Sequence, residues 1–148
     1  VPVHEEDGRG LATSRPGVYD RILVDAPCTG LGALRRRPEA RWRKSPDDVA
    51  ELVVLQEQLL RAAVEALAPG GIVAYVTCSP HLAETSGVVA AVLRDRTDLV
   101  EVDARSVMRR ISRSPIDLAG DDGSPHVQLW PHRHGTDAMF LALLQRTS

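Results

Sequence analysis

The chain has 148 residues, 43% of them apolar and 26% charged, with 18 Lys and Arg against 20 Asp and Glu and a formal net charge of −2. That length supports one domain with a real core, and that balance excludes a disordered or globally basic chain. There is no apolar run of membrane-spanning length and no basic-then-apolar leader, and two cysteines are too few for a secreted disulfide scaffold, so the expected setting is a reducing cytoplasm with both thiols free.

The first residue is Val1 rather than Met, so the chain reads as a fragment or a processed product. Residues 1–18 are polar and turn-rich, and no long element is expected there. Ile22-Leu23-Val24 is a short apolar run rich in branched side chains, which predicts a strand buried on both faces. Pro27 and Gly30 end it. Residues 29–45 read as one long loop, and such loops are commonly functional or mobile. Ser45-Pro46-Asp47-Asp48 is a helix start: Ser45 caps, Pro46 fits the first turn, and the acids suit its positive end. Val49, Leu52, Val53, Leu59, Leu60, Ala63 and Leu67 recur at helical spacing, and Pro69-Gly70-Gly71 closes the helix. A second buried strand is predicted over Ile72–Val76. A second helix is predicted from about Ala83 to Arg94, with Val88, Val89, Val92 and Leu93 inward. Leu99–Val102 reads as a third strand, Gly120 to Gly123 as a flexible loop, and Val127–Trp130 with Met139–Leu144 as a strand pair. This alternation predicts an α/β fold with parallel strands.

In an open α/β sheet, ligands bind beyond the carboxyl ends of the strands. Cys28 and Cys78 each stand where a predicted buried strand stops, so both are expected to face one cleft beside Asp25. A reactive cysteine works as thiolate, and a helix start after Cys78 together with nearby arginines would lower its pKa. The same position also suits a small buried hydrophobe. Asp25, in an apolar strand end, is expected to be buried, either as a ligand or catalytic group or as a structural carboxylate bonded to backbone N–H groups. Arg35, Arg36, Arg37, Arg41, Arg43 and Lys44 surround Trp42, a pattern that fits phosphate contacts and base stacking, or a plain solvated face. His132 and His134 alone are too few for a metal centre, and none is expected. No phosphate-binding loop of the Gly-x-x-x-x-Gly-Lys type is present.

Taken together, these segments resemble one family. Tyr19-Asp20-Arg21-Ile22-Leu23-Val24-Asp25-Ala26-Pro27-Cys28-Thr29-Gly30 resembles the signature of the Sun/Fmu family of RNA 5-methylcytosine methyltransferases. Thr77-Cys78-Ser79 is similar to that family's second cysteine motif. The stretch from Arg36-Arg37-Pro38 to Arg41-Trp42 resembles its basic loop, and Gly135-Thr136-Asp137-Ala138-Met139-Phe140 its closing strand. The resemblance runs over nearly the whole chain. It implies a Rossmann-like S-adenosylmethionine-dependent methyltransferase fold, mostly parallel with an antiparallel last strand. Cys78 would add to carbon 6 of cytosine, Asp25 would hold the ring, and Cys28 would assist loss of the carbon-5 proton and release of the RNA. Asp7 would lie at the adenine side of the cofactor, with Asp25 and Pro27 near its methionine end. The implied partner is RNA, ribosomal RNA of the small subunit in particular.

Some matches fail. The family's Pro-Glu-Glu-Asn run becomes Leu82-Ala83-Glu84-Thr85, which keeps only Glu84, and Ala138 stands where glycine is usual. These changes are expected to affect helix starts and packing more than the nucleophile. The family's Gly-rich cofactor loop has no counterpart before Asp25, and Val1-Pro2-Val3 reads as the tail of an earlier strand. Residues 1–148 are therefore expected to be a single partial catalytic domain, the C-terminal half, that binds the cofactor weakly or not at all and is inactive alone. The competing reading is a non-catalytic RNA-binding or scaffold fragment. A thiol–disulfide protein lacks support because there is no Cys-x-x-Cys motif. A DNA cytosine methyltransferase would share Pro27-Cys28 but not Thr77-Cys78-Ser79.

Overall fold

The computed structural model describes residues 3–42, 45–118 and 123–148. The readings of Arg43 and Lys44 as phosphate contacts, of Val1-Pro2 as a strand tail and of Gly120 to Asp122 as a loop fall outside the described residues. A 3-10 turn at Gly8–Gly10 leads into a short helix, α1 (Leu11–Ser14), and both pack on the long helix that follows β1.

Strand β1 (Tyr19–Asp25) pairs in parallel with β2 (Leu67–Thr77), and α2 (Pro46–Ala66) joins them. The start of α2 follows from its first residues. The Ser45 hydroxyl accepts from Asp48 N–H, and the Asp48 carboxylate accepts from Ser45 N–H at 2.7 Å, a reciprocal capping box with Pro46 in the first turn. Leu60, Ala63 and Val64 on the inner face are buried against Val73, Tyr75 and Phe140 of the sheet. Burying one such aliphatic side chain is worth about 1.5–3 kcal/mol. The Pro69-Gly70-Gly71 segment lies within β2 as an irregularity: Tyr19 pairs with Leu67 and Arg21 with Ile72, and Gly70 takes φ 79°.

Helix α3 (Ser86–Arg94) buries Val88, Val89 and Val92, as its spacing predicts, and leads to β3 (Leu99–Val102). It begins later than the sequence pattern indicates, because residues 82–84 form a separate 3-10 turn. Helix α4 (Ala104–Ile111), absent from the sequence reading, is capped by Asp103, whose carboxylate accepts from Ser106 N–H at 3.0 Å. Strand β4 is only Val127–Gln128, since Pro131 opens a helical turn, α5 (Pro131–His134). Strand β5 (Phe140–Arg146) runs antiparallel to β2 on one edge and to β3 and β4 on the other. The sheet order is β1-β2-β5-β3, so β1 to β4 point one way and the last strand points the other.

β1 is not buried on both faces. Among the described residues it has one neighbour, β2, and lies at the sheet edge, where Leu23 is 69% exposed. No helix among the described residues is long and apolar enough to cross a membrane.

Candidate active site at the carboxyl ends of two strands

The strand register brings the sequence-predicted residues together. Asp25 pairs with Val76 and Thr77 with Phe140, so the carboxyl ends of β1 and β2 and the start of β5 share one end of the sheet. The chain leaving each strand reaches Cys28 or Cys78, and Asp137 arrives just before β5. The Sγ atoms of Cys28 and Cys78 are 3.3 Å apart, and both cysteines are half-buried. They line a cavity of about 640 Å³ with Asp25, Pro27, Gly30, Arg36, Arg37 and Glu39, among others.

The loop after Cys28 is not irregular throughout. It forms 3-10 turns at Leu31–Ala33 and Pro38–Trp42. Gly30 enters the first turn with φ 72°, a conformation that favours glycine. Gly32 then threads between two backbone segments: its N–H donates to Cys78 O at 2.9 Å, and its carbonyl accepts from Ala138 N–H at 2.9 Å. A Cβ at Gly32 would lie 2.1 Å from Ala138 O and 2.7 Å from Cys78 O. Only glycine fits this crossing.

Asp25 departs from expectation. It is exposed, because it ends an edge strand and opens into the cavity. Cys78 is acidified, with its pKa lowered to about 6, chiefly because the Cys28 thiol donates to its sulfur; burial and the carboxylates of Asp25 and Asp137 oppose the shift. The expected cause, a helix start with flanking arginines, is not the main one, since α3 begins only at Ser86. Cys28 moves the other way: donating to Cys78, and then burial, push its thiol well above the ordinary range.

Arg35 and Arg36 both reach the buried side chain of Asp137, Arg35 at 3.0 Å and Arg36 through Nη2. These arginines hold the Asp137 carboxyl at about 2. Their own side chains remain half or more exposed, so the anchor presents cationic surface at the cavity rim. Arg37 lines the cavity itself. Arg41 lines a second cavity of about 440 Å³ with Thr29, Leu31, Ser45 and His81, and Trp42 is 84% exposed. Asp7 is elsewhere: it caps the Gly8–Gly10 turn and pairs with Arg9, and it does not line the thiol cavity. His132 and His134 lie on α5, with His134 bonded to the Asp117 carbonyl. Among the described residues, no group of three or more His, Cys, Asp or Glu is placed to hold a metal ion.

The sequence motif retains Glu84, but it is the structure that shows its place beside the two thiols. Glu84 is fully buried. One carboxylate oxygen accepts from Thr29 N–H at 2.7 Å and Gln56 Nε2 at 3.2 Å; the other accepts from the Thr29 and Ser79 hydroxyls, each at 2.6 Å. Gln56 also donates to Pro27 O at 2.8 Å. The signal was available in Gln56, a polar residue on the apolar stripe that runs through Leu52, Val53, Leu59, Leu60 and Ala63.

Comparison with known proteins places this geometry. The family model described as 16S rRNA methyltransferase RsmB/F matches residues 1–145. The chain belongs to this family. A Mycobacterium tuberculosis protein named as a methyltransferase is 60% identical over 131 residues, covering 88% of this chain and 27% of its own length. The ribosomal RNA small subunit methyltransferase B of Sodalis glossinidius is 36% identical over 137 residues, covering 92% of this chain and 28% of its own. Among solved structures, NSun6 from Pyrococcus horikoshii with SFG superposes with a TM-score of 0.77 at 25% identity, over 98% of this chain and 34% of that one. The chain thus spans 26% to 30% of the length of the curated relatives it matches, and within that span the RsmB/F-type fold carries both cysteine motifs on adjacent strand ends.

Proposed function

We propose that this chain forms the nucleophile-bearing part of an RNA (cytosine-5)-methyltransferase acting on small-subunit ribosomal RNA. The carrying observation is the Cys28–Cys78 pair, 3.3 Å apart at the mouth of an open cavity, with Cys78 acidified by Cys28. The names of the relatives supply the RNA, and the ligand SFG of the Pyrococcus structure, an S-adenosylmethionine analogue, supports the methyl donor.

The Cys78 thiolate forms a bond to carbon 6 of an unpaired cytosine, which makes carbon 5 nucleophilic. Bound S-adenosylmethionine supplies the methyl group. Asp25, exposed within the same cavity, is placed to hold the ring and to share a proton with it as the thiolate's negative charge moves onto the ring. Addition removes the negative charge from Cys78, and with it the main reason that Cys28 stays protonated. Cys28 then gives its own proton to water in the open cavity and takes the carbon-5 proton; the electron pair left behind forms the carbon-5–carbon-6 double bond, and the Cys78–carbon-6 bond breaks with the Cys78 thiolate as leaving group, which releases product. Arg35, Arg36, Arg37 and Arg41 supply phosphate contacts around the cavity.

Of the residues that the resemblance assigns to the donor, Asp25 and Pro27 line the cavity and Asp7 lies outside its lining, which supports contact with the methionine end alone. On its own the chain is expected to bind S-adenosylmethionine weakly and to transfer no methyl group. The test is a chimera in which this chain replaces the matching segment of the Mycobacterium relative. It should methylate cytosine carbon 5 in small-subunit ribosomal RNA. Cys78→Ala should abolish transfer, and Cys28→Ala should trap an RNA adduct on a denaturing gel. No methylation by a folded chimera would overturn the reading, and an adduct with Cys78→Ala instead would reverse the two roles. The alternative of a non-catalytic RNA-binding fragment predicts RNA affinity with no adduct in any variant.

A further inference from the structure

We propose that Glu84 is a positioning residue that sets the separation of the two thiols, because a single carboxylate holds the residue after Cys28 and the residue after Cys78. The two hydroxyls that meet on one Glu84 oxygen belong to Thr29 and Ser79, each at 2.6 Å. Thr29 follows Cys28, and Ser79 follows Cys78. The other oxygen takes Thr29 N–H and the Gln56 amide, which in turn holds Pro27 O. Both cysteine loops and α2 therefore converge on one buried group.

Glu84 does not serve the helix that follows it. Thr85, the N-cap of α3, has no side-chain capping bond, and every side-chain bond of Glu84 leads to another element or back to the Cys78 loop. Its backbone is fixed as well, since Tyr75 OH donates to Glu84 O at 2.9 Å from the centre of the sheet. Hydrogen bonds to a carboxylate are shorter and stronger than neutral ones, and water cannot replace them at a fully buried site. The clamp thus resists the spreading of the two loops that would part the thiols.

The inference rests on the reading of Cys78 as nucleophile, yet its test needs no methyl transfer. The groups facing Cys78 are Cys28, Asp25, Asp137 and, through its charge, Arg36. None of these is altered by changing Glu84, and looser burial alone would lower the Cys78 midpoint, so a raised midpoint reports parting of the thiols. The experiment is peptide-resolved iodoacetamide labelling of Cys78 in the 148-residue chain, from pH 4 to 10, with folding checked by circular dichroism. Glu84→Ala should raise the labelling midpoint from about 6 by at least about one unit. Glu84→Gln should stay within about half a unit of wild type, because its oxygen can still accept from Thr29 N–H and Gln56 while its amide donates to the two hydroxyls, which can accept. Ser79→Ala, which cuts the Cys78 side of the clamp alone, covers the case in which Glu84→Ala fails to fold, and it should also raise the midpoint. A wild-type midpoint in folded Glu84→Ala, or in Ser79→Ala if Glu84→Ala does not fold, would overturn the proposal. A chimera that fails to methylate while these midpoints move would overturn the function and leave the clamp standing.

Discussion

Replacing Cys28 by alanine should make Cys78 slower to alkylate at neutral pH and faster at high pH. The Cys28 thiol is the main cause that lowers Cys78 to about 6, and burial, Asp25 and Asp137 all oppose it. Without that donor, Cys78 returns at least to its ordinary value of 9.0. At pH 7 the ionised fraction then falls from about 90% to about 1%, roughly 90-fold. Intrinsic nucleophilicity moves the other way: with a Brønsted slope of about 0.4–0.5, a thiolate three units more basic attacks about 15- to 30-fold faster. The net expectation is a drop of about three- to sixfold at pH 7, a crossing between about pH 7.5 and 8, and a variant about tenfold faster at pH 9. Peptide-resolved iodoacetamide labelling across that range reads the profile directly. A Cys28→Ala profile parallel to wild type, slower or faster by one constant factor at every pH, would refute the view that Cys28 controls the charge of Cys78.

Gly32→Ala should destabilise the fold by more than the roughly 1–3 kcal/mol of ordinary overpacking, because the added methyl meets two backbone carbonyl oxygens that cannot rotate away; thermal unfolding checks this, and an unchanged midpoint contradicts the crossing. Asp137→Asn should loosen the basic loop, seen as faster tryptic cleavage at Arg35 and Arg36 at neutral pH. In wild type the anchor is fully present above the ordinary carboxyl value of 3.8 and is lost only as pH falls through about 2, so a loop released between pH 4 and 8 would count against it. Replacing Arg35, Arg36 and Arg37 by glutamine in the chimera should lower the salt slope of RNA binding by about 0.7 for each phosphate that is no longer neutralised; an unchanged slope would make that stretch a solvated face.

The elements that positioned the site were legible where local chemistry and tertiary packing agree. Ser45-Pro46-Asp47-Asp48 starts α2 where its capping pattern indicates, and Val88, Val89 and Val92 face the core at their helical spacing. Misreadings arose where one segment's fate depends on another far along the chain. Leu23 carries the branched, apolar signature of a buried strand, yet whether a strand is central or marginal is set by its neighbours, and β1 has only β2 beside it among the described residues. Asp25 follows the same logic, since the end of an edge strand opens to solvent. Helix α4 was legible by the same rule, since Ala104, Val107, Met108 and Ile111 recur at helical spacing behind the Asp103 cap, but the pattern spans only eight residues and two turns, too short to stand out beside the longer helices.

The cysteines show the same limit at the level of chemistry. Their placement at strand ends followed from two short motifs, but the source of Cys78's acidity did not. Sequence proximity pointed to a helix start and arginines, groups close along the chain or rich in charge. The structure supplies a neutral thiol from fifty residues away, at 3.3 Å. A hydrogen bond at that range outweighs more distant charges, and here the two facing carboxylates push the other way without reversing it. Distance therefore decides the electrostatics, and distance is set by backbone register and by the buried bonds of Gly32 and Glu84 that hold the loops. The Leu82-Ala83-Glu84-Thr85 run, which in sequence looks like the start of a helix, matters for the one side chain that turns away from that helix. The departures around Glu84 alter residues whose side chains stay outside the clamp, and the group that joins the two thiol loops is the one that remains.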